Sequence, residues 1–393
     1  MRLKHILSLL LISSTNFLFS QNLAQLADSV KSGFRGLAVV SEKVVWMSGR
    51  KGLVGNSYNG GKSWKWNQVK GFEKSDFRSI WAFDKKNAVI ANAGFPATIL
   101  FTTDAGKTWT TTFSSRDSAM FFDGIEFWPG PSGDNKHGII FGDPVNGRMY
   151  LSETFDAGKT WKEIPFDDRP QLQNGEASFA ASGTTIRTLP GGHVYIATGG
   201  SVSRLWHSRD YGHHWEVFNT PMLQGKPSQG IFSLAFYDTL RGIIVGGDYL
   251  NDTLTKDNCF YTRDGGKTWK APFYPPHGYQ SCVSLGIPFT KTEIAHCPYC
   301  WPGYFILSTG PNGMDFCSGG EDYWGEYSFF DYEIIESANT IRSTANGRCI
   351  FFCGGQLGIA SVKILKKPRI KSNFLKKRSI KSHLLDIKKR RVF

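Results

Sequence analysis

Short hydrophobic segments recur along the chain at similar intervals. Each period opens with a strand-like run, and a second apolar run such as VVWMSG, AVIANA or GIIVGGD follows it. A third run leads into a glycine-containing turn and a fourth begins beyond that turn, so each period predicts four short strands. The opening runs are FRGLAVV from Phe34, FRSIWAF from Phe77, FDGIEFW from Phe122, EASFAAS from Glu176, IFSLAFY from Ile231 and QSCVSLG from Gln280.

A repeated octet marks the turn between the third and fourth predicted strands. Its copies are SYNGGKSW (57–64), TTDAGKTW (102–109), TFDAGKTW (154–161), SRDYGHHW (208–215), TRDGGKTW (262–269) and, more weakly, CSGGEDYW (317–324). Asp caps backbone N–H groups in a tight turn, Gly accepts positive φ, and Trp buries a large ring between sheets. We therefore interpret the octets as structural, with the key positions Asn59, Asp104, Asp156, Asp210, Asp264, Trp64, Trp109, Trp161, Trp215 and Trp269.

Four strands in periods of 45 to 55 residues predict an all-β propeller. A last unit, from Tyr332 to Lys363, has the strand pattern without the octet. Counting it gives a seven-bladed β-propeller. Six blades result if this segment only completes the first blade.

The two ends differ from the repeats. Residues 1–20 combine Arg2 and Lys4 with a short apolar run, the pattern of a secretory signal peptide, so we expect an exported protein that is periplasmic, secreted or on the cell surface. The propeller is predicted over 33–363, and 364–393 is predicted to be a basic, disordered tail.

Charge is concentrated in that tail. Of the net +13, the region from Lys363 to Phe393 carries 13 Lys or Arg against one Asp, so the body is close to neutral. A near-neutral body argues against a specific nucleic-acid surface, and the tail alone could contact an anionic membrane weakly.

The octets and several longer phrases resemble those of a known group of proteins. The octets resemble Asp-box (BNR) repeats, and GDPVNGRMYLSETFDAGKTW, GEASFAASGTTI and PPHGYQSCV are similar to exported proteins of Bacteroidetes-type bacteria in the photosystem II stability/assembly-factor-like group. This resemblance implies a propeller without an established activity, although such proteins are often labelled oxidoreductase or glycosyl hydrolase.

The sequence argues against a sialidase and leaves another glycosidase activity open. The Phe-Arg-Ile-Pro signature of sialidases is missing, since Phe34-Arg35 continues into Gly36 and Phe77-Arg78 into Ser79. A glycoside hydrolase or lyase needs only two carboxylates beside a cleft. This stays the alternative function, and its candidate residues are Asp123, Asp143, Glu176 and Asp248.

The cysteines predict neither a redox site nor a metal site. All seven lie from Cys259 onward, and the CPYC of 297–300 lacks the following helix that lowers the pKa in glutaredoxin-like sites. His296, Cys297 and Cys300 lack a second ligand pair for zinc. We expect no metal and no cofactor, and the odd count leaves at least one thiol without an intramolecular partner.

Polar residues at the openings of the first strands point to a binding surface. Arg35, Arg78 and Asp123 each follow a Phe at blade-length spacing, with Glu176, Ser281 and Glu333 near the same register. First strands surround the channel of a propeller, so we expect these side chains at its mouth. Structural ion pairs within this ring are the open alternative. Loop residues that could assist are Arg148, Arg187, Asp248, His277 and Tyr279.

The preferred function is therefore a binding or assembly platform for a protein or glycan partner on the channel face. The enzyme hypothesis is kept as the alternative.

Overall fold

The computed structural model describes residues 33–130, 135–285, 306–317, 325–326, 338–343, 349–353 and 364–366. The chain divides into a compact unit, Leu23–Leu365, and a second unit formed by Met1–Asn22 and Lys366–Phe393. The predicted signal peptide and nearly all of the predicted tail lie outside the described residues.

Twenty-eight strands and one short 3-10 helix, Phe166–Asp168, make up the described secondary structure. The first three blades contain β1 (Phe34–Val39), β2 (Val45–Gly49), β3 (Leu53–Ser57), β4 (Lys65–Gln68), β5 (Phe77–Ala82), β6 (Ala88–Asn92), β7 (Ala97–Thr102), β8 (Thr110–Ser115), β9 (Phe122–Phe127), β10 (Gly138–Val145), β11 (Arg148–Thr154) and β12 (Lys162–Glu163). The next part contains β13 (Glu176–Ala177), β14 (Ile186–Leu189), β15 (His193–Ala197), β16 (Gly199–Gly200), β17 (Arg204–Ser208), β18 (Glu216–Asn219), β19 (Gln229–Phe236), β20 (Gly242–Asp248) and β21 (Cys259–Thr262). The last part contains β22 (Cys282–Leu285), β23 (Ile306–Gly310), β24 (Gly313–Cys317), β25 (Gly325–Glu326), β26 (Thr340–Ser343), β27 (Cys349–Cys353) and β28 (Ile364–Lys366).

These strands form antiparallel sheets in which chain order equals spatial order, as in a meander. Blades 1, 2, 3 and 6 are β1 to β4, β5 to β8, β9 to β12 and β22 to β25, and blade 4 is β14-β15-β17-β18. Blade 5 is β19-β20-β21, extended on its inner side by β16 and β13. The seventh sheet, β26-β27-β28, has three strands, and its β28 lies where the sequence predicted the tail to begin.

The first strands form a closed ring. β1, β5, β9, β14, β19, β22 and β26 contact one another in that order, and β26 also contacts β1. Asn339, just before β26, donates a hydrogen bond to the Phe34 carbonyl at 2.9 Å. The propeller prediction is confirmed, with six blades and a three-stranded sheet that closes the ring. No helix among the described residues is long and apolar enough to cross a membrane.

Apolar side chains fill the spaces between neighbouring blades. The cluster between blades 2 and 3, for example, contains the buried Val89, Ile99, Phe122 and Tyr150, with the octet residue Trp161 packed against it. Burial of this kind, at about 25 cal/mol per Å², is the main force that holds adjacent blades together.

The octets form turns that are closed by hydrogen bonds between their own side chains and backbone. In blade 2 the Thr102 hydroxyl donates to Asp104 at 2.9 Å, and the Asp104 carboxylate accepts the amide and the hydroxyl of Thr108 at 2.9 and 2.6 Å. The amide of Ala105 donates to the Lys86 carbonyl at 3.0 Å, which ties the turn to the loop between the first two strands. Equivalent amide bonds recur at Gly60, Ala157, Tyr211 and Gly265. Since strand direction alternates, the boxes lie on the face opposite the openings of the first strands.

β-Bulges recur at these openings. The register with the second strand shifts between Phe34 and Gly36, between Phe77 and Ser79, and between Ile231 and Ser233. A bulge leaves one residue unpaired and re-aims its side chain. The bulged residues are Arg35, Arg78 and Phe232, joined by Asp123 in blade 3.

One opening run differs from its prediction. Only Glu176–Ala177 of EASFAAS is a strand, and the first strand of blade 4 begins later, at Ile186. Residues 178–185, which we call the channel segment, contact several blades instead. The Ala181 carbonyl accepts from Arg35 at 3.2 Å, the Ser182 hydroxyl donates to the Ser281 carbonyl at 2.9 Å, and the Thr184 and Ser233 hydroxyls are 2.6 Å apart. Small and hydroxyl side chains explain the difference, because they fit the narrow centre and satisfy backbone groups there.

Candidate functional site at the channel mouth

A cavity of about 640 Å³ opens where the first strands begin. Residues from blades 1, 2, 3, 5 and 6 and from the start of the seventh sheet line it, which places it on the propeller axis. Residues 178–181 of the channel segment also line it. The lining is Gly33, Arg35, Arg50, Arg78, Phe121, Ser178, Phe179, Ala180, Ala181, Phe232, Tyr249, Asp252, Tyr279, Ser281, Pro311 and Asn339.

Three arginines give the cavity a positive character. Arg78 is held by Asp76 at 2.9 Å, and Arg50, which is more exposed, lies 3.6 Å from the same carboxylate. Arg35 donates to the Ala181 carbonyl and forms no ion pair with another described residue. Burial, and then the neighbouring Arg78 guanidinium, lowers the pKa of Arg35, which nevertheless stays charged at neutral pH.

Aromatic rings also line the cavity. Phe179 of the channel segment stacks on Phe232 with centroids 3.8 Å apart, and Tyr279 meets Phe232 edge-on at 4.7 Å. Burial raises the pKa of Tyr279, so its phenol is neutral. Tyr249 is half-exposed at the rim, and Phe121 lies 6.0 Å from the Arg78 guanidinium. The cavity can therefore accept an anionic group and an apolar group at the same time.

Asp123 shares the bulge register of Arg35 and Arg78 but does not reach the described cavity lining. Its side chain is fully buried, and no described residue gives either carboxylate oxygen a hydrogen bond. Burial, and then the neighbouring Asp143, raises its pKa well above the ordinary value. Asp143 accepts the Ser178 amide at 3.2 Å, and burial raises its pKa as well.

Glu176 does not line the cavity either, because it is used inside the protein. Arg204 binds both of its carboxylate oxygens, and the Thr198 hydroxyl donates to one of them at 2.6 Å. Asp248 is buried and accepts from Gln229 at 3.0 Å; burial would raise its pKa, but the hydrogen bonds of Gln229 and Ser228 outweigh this and lower it. Among the described residues, the four candidate carboxylates thus form no exposed pair beside an open cleft.

The remaining predicted residues are dispersed. Arg148 donates to the Asp167 and Arg169 carbonyls, and Arg187 lies at the other end of the channel. His277 lines a separate cavity of about 320 Å³, where its Nδ1 is 2.7 Å from Asp315. Glu333, His296, Cys297 and Cys300 lie outside the described residues.

Several residues of the mouth escaped sequence analysis. Phe232 sits at the bulge position of blade 5, and the spacing that found Arg35 and Arg78 would have found it if apolar residues had been included. Asn339 occupies the corresponding place before β26. Arg50, Tyr249 and Asp252 come from loops between second and third strands, which carry no repeated signal.

Metal ligands and thiols add no second site in the part of the chain that is described. No group of three or more His, Cys, Asp or Glu there could hold a metal ion. Cys282 and Cys353 are buried and form no disulfide with another described residue.

Fold and turns together define a β-propeller with Asp-box turns. A family model described as BNR/Asp-box repeat matches residues 260–271, the fifth octet with its flanks. Curated protein sequences gave no match.

Solved structures share the fold at low sequence identity. "YCF48 bound to D1 peptide" superposes with a TM-score of 0.56 and 14% identity, covering 88% of this chain and 96% of that one. YCF48 from Cyanidioschyzon merolae gives 0.58 and 13%, covering 88% and 98%. The WD40 repeats of RRP9 give 0.58 and 11%, covering 88% and 99%. The fold is thus similar to that of YCF48 and of WD40 propellers.

Proposed function

We propose that the protein is an exported binding platform whose channel mouth captures a segment of a protein partner, and that this segment carries an acidic group next to an apolar side chain. The observation that carries the proposal is the pairing of Arg35 with an aromatic wall in one cavity.

Charge favours an acidic ligand. Arg50 and Arg78 share Asp76, whereas Arg35 has a carbonyl as its described partner. A guanidinium holds a carboxylate with two parallel hydrogen bonds, and such bonds are stronger in a partly desolvated cavity than in water. An incoming carboxylate would balance the charge that the protein leaves on Arg35.

The aromatic wall favours a peptide. Tyr249 presents a half-exposed ring that an apolar side chain can cover, and it packs against the buried rings of Phe232 and Tyr279. Rigid aromatic residues together with arginine dominate the energetics of protein interfaces. The solved YCF48 structure with a D1 peptide is a propeller of this fold with a peptide bound, which supports a peptide as the ligand class.

The experiment is affinity selection with a library of short peptides, followed by fluorescence anisotropy on the selected sequences. We expect acidic, apolar-containing peptides, and we expect Arg35→Gln to weaken their binding by about 30-fold, which corresponds to ~2 kcal/mol for a desolvated charge pair. Arg78→Gln should weaken binding less, since Arg78 already has Asp76 as partner.

Arg116→Gln is the matched control, because Arg116 is exposed and lies outside the cavity lining. Thermal unfolding of each variant separates lost binding from lost structure. Selection of uncharged peptides, or equal affinity of the Arg35→Gln and Arg116→Gln variants, would overturn the proposal.

A further inference from the structure

The opposite end of the channel carries a second group of charges. Glu126 of β9 is buried, and its two carboxylate oxygens face two different arginines. Arg187 of β14 lies 3.8 Å from Oε2, and Arg342 of β26 lies 3.9 Å from Oε1. Blade 3 and the seventh sheet are not neighbours in the ring, so the Arg342 side chain reaches across the channel axis to meet Glu126.

This group is separate from the mouth. The channel segment runs between the two ends, and Arg342 donates to the carbonyl of its Gly183 at 3.3 Å. Glu126 stands one residue before the end of β9, toward the Asp-box face, and both arginines meet it there, whereas the mouth lies where the first strands begin. A ligand at one end therefore does not touch the residues of the other.

The two arginines retain hydrogen-bonding capacity. Contacts of 3.8 and 3.9 Å are ion pairs but are too long for hydrogen bonds. Glu126 instead receives the Thr188 hydroxyl at 3.4 Å. The side chains of Arg187 and Arg342 are 44% and 25% exposed, so both are partly open to solvent.

Charge at this end is unbalanced among the described residues. Two guanidiniums face one carboxylate, which leaves one positive charge in a partly buried place. Arginine pairs of this kind bind carboxylates, sulfates and phosphates through bidentate hydrogen bonds.

We propose that Arg187 and Arg342 form a binding site for one small oxyanion at the Asp-box end of the channel. The ligand is a carboxylate, sulfate or phosphate group that bridges the two guanidiniums. Glu126 holds the arginines in place and competes with the ligand for them. This site does not depend on the proposed function of the mouth.

The test is isothermal titration of the full-length protein with sodium sulfate, phosphate and acetate in a low-salt buffer. We expect one saturable site for at least one of these anions, and binding that weakens as chloride is added. Arg187→Gln and Arg342→Gln should each weaken binding about tenfold or more, and the double variant should abolish it.

The sign of the Glu126→Gln effect distinguishes a ligand site from a purely structural ion pair. Removing the competing carboxylate while keeping its shape should tighten anion binding by about tenfold. Arg35→Gln should leave this binding unchanged, which keeps the test independent of the mouth. An unchanged or weaker affinity in a folded Glu126→Gln variant, no saturable binding to the wild type, or wild-type binding in the double variant would each overturn the proposal.

Discussion

Asp123 makes the strongest stability prediction, because it is a buried carboxyl group without a described partner. Replacing it by Asn keeps the shape of the side chain and removes its ability to ionise. The folded protein raises the pKa of Asp123 well above 3.8, first through burial and then through Asp143. The folded state therefore binds this proton more tightly than the unfolded chain does, so the stability of the fold decreases as the pH rises above the unfolded pKa.

The magnitude follows from the linkage between proton binding and folding. Holding a carboxyl group protonated costs about 1.4 kcal/mol for each pH unit above its unfolded pKa, so the penalty at pH 7 is at most ~4 kcal/mol. Because folding raises the pKa of Asp123, its contribution to the stability of the protein is fully present below the unfolded pKa. That contribution is lost as the pH rises toward the folded pKa. Asp123→Asn should therefore stabilise the protein by about 1–3 kcal/mol at pH 7, and by little near pH 4, since the buried amide keeps part of the polar burial cost.

The assay is urea unfolding followed by tryptophan fluorescence from pH 4 to pH 8. Asp143→Asn is the comparison variant; because Asp143 accepts the Ser178 amide, its replacement should give a smaller gain or a loss. A lower free energy of unfolding for Asp123→Asn than for the wild type at pH 7 would refute the reasoning. It would mean that the native carboxylate is ionised and bound to a positive partner.

Three further changes test other parts of the fold. Asp104→Asn should lower the free energy of unfolding by less than about 1 kcal/mol at pH 7 and leave it unchanged near pH 2. Hydrogen bonds from Thr108 lower the pKa of Asp104 to about 2, so the stabilisation by this carboxylate disappears as the pH falls from about 4 to about 2. Thermal unfolding across that pH interval measures the loss. Gly246→Ala should destabilise by about 2 kcal/mol or more in urea unfolding, since a Cβ there would lie 1.9 Å from the Gly230 carbonyl oxygen beside the bulge. His207→Gln should make the free energy of unfolding fall less steeply in acid. Burial, followed by the charges of His193 and Arg209, lowers the pKa of His207 to about 3, so the stabilisation by the neutral imidazole is lost as the pH falls from about 6.5. An unchanged dependence of stability on acid pH would contradict this.

The repeats made the fold predictable because most blades are formed by consecutive residues of a single repeat. An octet such as TTDAGKTW encodes one turn through its own side chains, so spacing alone phases the strands. The bulge position could also be predicted, since Arg35 and Arg78 each follow the Phe that opens the first strand of their blade. Both arginines line the mouth.

Departures from the repeat were not predictable in this way. Glu176 fits the spacing of the repeat, but its carboxylate is bound by Arg204, which lies 28 residues further along the chain. The channel segment occupies the centre of the propeller in place of the Glu176 side chain. The Arg187–Glu126–Arg342 group joins three sheets across the channel axis, so no local pattern announces it. Contacts of this kind depend on closure of the ring.

The central claim, that partners bind at the mouth, is tested most directly by site-specific photocrosslinking. A photoreactive phenylalanine analogue would replace Tyr249 at the rim or, in the control, Tyr211 on the Asp-box face, and each protein would be irradiated with a peptide selected from the library. The account predicts an adduct from position 249 that excess unlabelled peptide removes, and none from position 211. An adduct from position 211 with none from position 249 would contradict it.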